Sequence, residues 1–334
     1  MKRFFKVFFG DEGELKFGWR LAFGVACYML AFYGVIWGLG AGFGALFAAW
    51  GLTNANLAYA PVWARQIVFW HTDFTYMLAY ALSLLAAVTF AKVPAKALDG
   101  KIIRTGALAG AGLGAVLTLV AFALDSMRLE WPLGEPSFSP YHISALAVLL
   151  LGSFSGEALS KRLVFGPVRM RFGRFAGFAA VAALSVALSG AWTKPTALVS
   201  AALMGITGCA LYERGGLFAS AAMAAGWTAW TTWLFAWPNG NAVSVYRMYM
   251  VSDPWLTGGN AGANAGLGAV IGWMIIAAFL LRGELRGGIA RIKKERITNG
   301  KDSDCNRRSG LQRRELLRSG SAGDAGPRRG RRAG

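Results

Sequence analysis

The sequence is short of charge where charge would matter most. Leu21 to Ala64 contains no Asp, Glu, Lys or Arg. Seven more uncharged runs follow: Phe74–Ala91, Thr105–Leu124, Pro136–Gly156, Phe175–Thr193, Pro195–Tyr212, Gly215–Tyr246 and Pro254–Leu281. Each approaches or exceeds the ~20 apolar residues that a helix needs to cross a bilayer core. Eight such runs are more than one soluble core can hold, which excludes an ordinary soluble domain. Histidine is scarce, with two in 334 residues, and there are three cysteines. Cys27, Cys209 and Cys305 are odd in number and fit neither a disulfide framework nor a zinc knuckle. No HExxH, Gly-Xaa-Ser-Xaa-Gly elbow or phosphate loop stands in a usable context. The N-terminal MKRFFKVFF lacks a long apolar region and a small-residue cleavage site, so residues 1–16 read as an interfacial segment rather than a signal peptide.

What charge there is lies between the runs, and it alternates. The N-terminal segment carries Lys2, Arg3, Lys6, Lys16 and Arg20. The second connection has Lys92, Lys96, Lys101 and Arg104, and the fourth has Lys161, Arg162, Arg169, Arg171 and Arg174. The odd-numbered connections carry one basic residue each: Arg65, Arg128, Lys194 and Arg247. Cytoplasmic loops are enriched in Lys and Arg, so the pattern predicts eight spans with both termini cytoplasmic. The expected fold is all-α, a polytopic membrane protein with a transmembrane domain over residues 17–282 and a basic, disordered cytoplasmic tail over 283–334. The net charge is +18, and the residues from Gly283 onward, fifteen basic and six acidic, supply half of it. Topology and contact with anionic lipids account for this excess more simply than nucleic acid does. The expected location is integral to a membrane, the bacterial plasma membrane.

Ionisable residues at membrane depth are costly and mark candidate sites. Glu157, in SFSGEALSKRLVFGPVRMRFG, is the main one, and Lys161 follows it by one turn. Locally, this reads as an ion pair at the cytoplasmic end of the fourth span. His71 reads as an interfacial anchor beside Trp70 and Asp73. His142 is 15 residues from Glu157, about 22 Å along a helix, too far to share a metal with it. AGAGLGA at 109–115 spaces small residues for close helix packing rather than nucleotide binding. Trp227, Trp230, Trp233 and Trp237 read as bulky packing or an outer aromatic belt, with Trp227 as a ligand-lining alternative.

Three segments together resemble the CPBP family of intramembrane proteases, also called the CAAX-protease or Abi family. GEALSKRLVFGPVRMRFG resembles the family's EE-x-x-x-R segment with its following Gly, basic cluster and Phe-Gly. LSVALSGAW resembles its Phe-x-x-x-His helix, and LYERGGLFASAAMAAGW resembles YERTGGLWA followed by a helix carrying His-x-x-x-Asn. DEGELKFGWRLAF looks like the usual entry to the first span. The resemblance covers most of the chain and is strongest over residues 150–230, within a family-like core of about residues 140–237. It implies a CAAX-protease-like bundle in which a glutamate activates water while histidines and an asparagine complete the site.

Position by position, this chain departs from that pattern. The first acid falls on Gly156 and the second on Glu157. The Arg falls on Lys161, the first His on Gly190, and the second His and the Asn on Ala224 and Thr228. The resemblance therefore implies a non-catalytic homologue without cofactor or metal. It would bind a membrane protein, a prenylated or transmembrane peptide, or a lipid, with the former site persisting as an apolar cleft between spans four, five and seven. Two alternatives stay open: an active endopeptidase using Glu157, and a small-molecule transporter.

Overall fold

The computed structural model describes residues 16–52, 59–91, 97–130, 140–190, 192–237, 245–251, 254–259 and 262–282. The chain divides into two units, Met1–Leu280 and Leu281–Gly334. The expected interfacial segment, apart from residue 16, and the expected tail lie outside the described residues.

The described elements are nearly all helical. They are α1 (Phe17–Ala49), α2 (Val62–Ala91), α3 (Gly100–Ala123) and α4 (Pro140–Glu157), which runs through a π-helical segment (Ala158–Phe165) into α5 (Gly166–Phe172). After Gly173, at φ +90°, come α6 (Arg174–Leu188), α7 (Pro195–Thr228) with a π-helical end (Ala229–Leu234), and α8 (Leu267–Arg282). A small sheet pairs β1 (Met127–Glu130) antiparallel with β3 (Tyr246–Met250), whose other edge runs parallel to β2 (Phe235–Ala236). Met127 lies opposite Met250, and Phe235 opposite Tyr246.

Five helices are long and apolar enough to cross a membrane: Phe17–Ala49, Val62–Ala91, Gly100–Ala123, Tyr141–Phe172 and Pro195–Leu234. That is consistent with an integral membrane protein, and it is fewer than eight for identifiable reasons. Arg174–Leu188 and Leu267–Arg282 are apolar but shorter. The sixth and seventh sequence runs are joined into one helical stretch, broken only by non-helical backbone at Gly216 (φ +73°, ψ −164°).

That break reverses the chain. Thr196 Oγ1 donates to Ala265 O, 2.5 Å away, just before α8 begins. Arg214 donates to Leu280 O, near where α8 ends. Beyond Gly216, Trp227 meets Trp273 (ring centroids 5.3 Å apart) and Trp230 Nε1 donates to Thr118 Oγ1 at 3.1 Å. Leu117 in turn lies against Gly268, at the start of α8. The two halves of α7 therefore lie antiparallel. Only glycine takes a positive φ of this kind without strain.

The second half of α7 packs on α3 backbone to backbone. A Cβ on Gly106 would overlap Ala219 O, and one on Gly110 would overlap Met223 O and lie 2.8 Å from Trp227 N. From the other side, a Cβ on Gly226 would come within 2.6 Å of Ala107 O. This is the small-residue packing that AGAGLGA predicts. It brings whole helices into dispersion contact where bilayer lipid removes most of the hydrophobic drive between them. Elsewhere Val164, Phe165, Val181, Cys209 and Tyr212 form a core shared by the π segment, α6 and the first half of α7.

Gly110→Ala should lower the melting temperature in detergent by an amount equivalent to about 3 kcal/mol or more, because a backbone carbonyl cannot move aside as a side chain can. Gly112→Ala, where a Cβ meets nothing within 4 Å, should leave it unchanged or raise it slightly through helix propensity. Equal melting of the two variants would contradict the packing described.

Candidate functional site

The site begins with the buried ion pair. Lys161 Nζ donates to Glu157 Oε1 at 3.2 Å and to Ser160 Oγ at 3.1 Å. Lys161 is 1% exposed and Glu157 8%. Glu157 Oε2 is buried and has no hydrogen-bond partner. The expected pair is present, but it does not mark a helix end. The helix does not stop at Glu157 but continues to Phe172, and the pair is enclosed. Gly208, on the first half of α7, makes the enclosure possible. A Cβ there would come 2.6 Å from Lys161 Cε and 3.2 Å from Glu157 Oε2.

Lys161 lies within the π segment, where Gly166 N–H reaches Lys161 O. The wider turns end beside Pro167, which has no N–H to return to the carbonyl four residues back. Such turns recur at functional sites.

Beside the pair is a cavity of about 270 Å³, lined by Tyr80 from α2, by Val148, Leu149, Gly152, Ser153, Gly156 and Glu157 from α4, and by Ala224 and Thr228 from α7. Four of the six residues singled out from the sequence thus share one space: Gly156, Glu157, Ala224 and Thr228. Lys161 stands behind Glu157 rather than on the wall. Gly190 is elsewhere. It follows the end of α6, is exposed at φ +65°, and a Cβ on it would meet nothing within 4 Å. The expected cleft between spans four, five and seven is corrected accordingly: the second span, through Tyr80, takes the place of the fifth. α6 instead faces the first half of α7, with Ser185 and Val181 against Gly205.

Tyr80 and Gly208 were missed. Nothing in the sequence marks Tyr80. Gly208 had a faint signal in MGITG, where Gly205 and Gly208 give α7 close-contact positions. Trp227 is buried against Trp273 and does not line the cavity, so packing is its role. His71 is held between Phe43 and Phe47, and His142 gives its backbone carbonyl to Trp233 Nε1 at 2.7 Å. Neither histidine lines the cavity. Among the described residues no group of three or more His, Cys, Asp or Glu side chains could hold a metal ion.

A second acid anchors the end of the bundle where α1 begins. Glu213, 8% exposed as a side chain, bridges Arg169 at 3.1 Å and Arg174 at 2.5 Å. It ties α5, α6 and α7 together, and Arg171 stacks over Phe17 and Phe172 beside it.

Comparison of the chain with protein-family models, curated proteins and solved structures returned no match.

Chemically, the cavity offers a carboxylate, three hydroxyls and apolar walls. Among the described residues that line it, none carries an imidazole or amide side chain that could polarise a scissile carbonyl. Removing Lys161 would leave a carboxylate buried without its partner, a loss of about 3–5 kcal/mol. Lys161→Ala should therefore melt well below wild type in detergent. The paired replacement Glu157→Gln with Lys161→Met should melt close to it. Wild-type behaviour of Lys161→Ala would mean that the pair is solvated.

Proposed function

We propose that this chain is a non-catalytic intramembrane-protease homologue of the CPBP type, which uses its inherited cavity to hold an apolar ligand or a segment of a membrane partner. The observation that carries the reading is the convergence of Gly156, Glu157, Ala224 and Thr228 on one cavity. These are four positions at which the resembled family keeps functional groups, and here three of the four have lost them. Removing one oxyanion-stabilising donor commonly costs 10²–10³ in rate, and here every imidazole of the resembled site is missing. What remains is a shaped, mostly apolar space with one paired acid.

The same proposal includes eight crossings. α6 and α8, at 15 residues and 16 residues by range, are about 22–24 Å long and fall short of a ~30 Å core. Flanking residues and local thinning of the bilayer accommodate such mismatch at modest cost. The antiparallel halves of α7 count as two crossings. Lys16, Arg20, Lys101, Arg104, Arg169, Arg171 and Arg174 then belong to the end that faces the cytoplasm, with both termini there and anionic lipid headgroups as their partners. Reporter fusions at residues 98, 168 and 300 should read cytoplasmic, and fusions at 58, 132 and 250 should not. A cytoplasmic signal at 250 contradicts this topology.

Purified protein in nanodiscs should leave prenylated CAAX peptides and a transmembrane peptide library intact. Cleavage that disappears in Glu157→Gln would make the chain an active endopeptidase. Rebuilding the motif with Gly156→Glu, Lys161→Arg, Gly190→His, Ala224→His and Thr228→Asn together should not restore cleavage, since Gly190 lies outside the cavity. Activity in that variant would show that the α6 end can reach it.

A further inference from the structure

The cavity is chemically one-sided. Ser153 and Thr228 donate their hydroxyl protons to Leu149 O at 2.9 Å and Ala224 O at 2.8 Å, so each has only oxygen lone pairs left to offer. The Glu157 carboxylate has several acceptor positions, of which Lys161 fills one, while Oε2 is buried against Gly208, which does not line the space. Tyr80 supplies the one side-chain hydroxyl on the described wall whose proton is not committed in this way. Among the described residues no Lys, Arg or His lines the space.

Charge narrows the ligand further. Glu157 is already neutralised by Lys161, so a bound cation would leave an extra positive charge in a low-dielectric interior. A bound anion would face the Glu157 carboxylate across the same interior. A neutral group with a hydrogen to donate meets the lone pairs of Ser153, Glu157 and Thr228 on the wall at no charge cost.

Size and position narrow it again. The cavity, at about 270 Å³, takes the end of a single chain. Gly156 is exposed, and a Cβ on it would meet nothing within 4 Å, so the wall is open there. Gly156 lies midway along the continuous helical stretch from Pro140 to Phe172, about 24 Å of helix from either end. On the proposed topology, with Arg169, Arg171 and Arg174 among the headgroups, an opening there faces acyl chains.

We infer that the cavity is a lateral pocket for a neutral single-chain lipid ending in a hydrogen-bond donor, of the long-chain alcohol class. The hydroxyl donates to Glu157 and accepts from Tyr80, while the chain leaves past Gly156. This rests on the membrane-spanning, non-catalytic reading above and goes further in naming what the cavity holds.

The test uses the full chain in phosphatidylcholine nanodiscs with a diazirine- and alkyne-bearing hexadecanol, and labelled peptides mapped by mass spectrometry. Labelling is expected on α4 around Leu149–Glu157 and on α7 around Thr228. Unlabelled hexadecanol should compete about tenfold better than its methyl ether, as expected for one hydrogen bond to a charged acceptor. Palmitate and hexadecyltrimethylammonium should compete poorly. Gly156→Leu should abolish labelling, and so should Val148→Trp, which fills the same space from another turn, each with a wild-type melting temperature as the check on folding. The paired Glu157→Gln, Lys161→Met variant should keep the labelling and lose the preference for alcohol over ether. Equal competition by alcohol and ether in wild type would overturn the assignment of a donor-bearing ligand. Labelling that maps elsewhere, or survives both filling variants, would overturn the pocket. Peptide cleavage in the parallel assay would instead overturn the non-catalytic reading, so the failures are distinguishable.

Discussion

The bundle is organised by what Gly106 and Gly110 leave out. Without side chains on these residues, α3 lies directly on the backbone of α7 beyond Gly216, and Gly226 returns the favour against Ala107. In a bilayer, apolar side chains gain little by leaving lipid for protein, so close dispersion contact has to supply what hydrophobic burial supplies in water. The second half of α7 is fixed by that contact, and with it Ala224 and Thr228. α4 and Tyr80 of α2 form the remaining wall, so the cavity depends on a contact made on the opposite face of α7.

A buried charge pair sits next to this apolar framework. Glu157 and Lys161 are close enough to neutralise one another, and Gly208 gives them room. Such a pair costs desolvation that its own attraction barely repays, so stability alone is a weak reason for a chain to carry it. The cavity beside it supplies another reason. On the proposed function, the Glu157 carboxylate at the cavity wall is a polar anchor in surroundings where few polar groups exist.

Several of these features were legible in the residues. The uncharged runs marked the helices because bilayer thickness sets a length that composition can be measured against. AGAGLGA marked a close packing face because small residues at helical spacing have few other uses in an apolar helix. The resemblance at GEALSKRL and AMAAGWT pointed to positions that share a cavity, since a motif residue's place on its helix follows from the helical repeat. Gly190, also singled out on the resemblance, does not line that cavity. α6 ends at Leu188, two residues short of it, and its packing face turns Val181 and Ser185 toward Gly205 instead.

By itself the sequence determined that the chain is helical and apolar enough to cross a membrane repeatedly, and where its charges fall along the chain. Those are properties of segments, set by local composition and by a fixed rise per residue. Only the tertiary structure decided that Glu157 is enclosed rather than solvated, that Tyr80 shares a wall with Thr228, and that α7 folds back on itself at Gly216. Each depends on which faces of distant helices meet, and that is decided by the few positions where a missing Cβ lets two backbones touch.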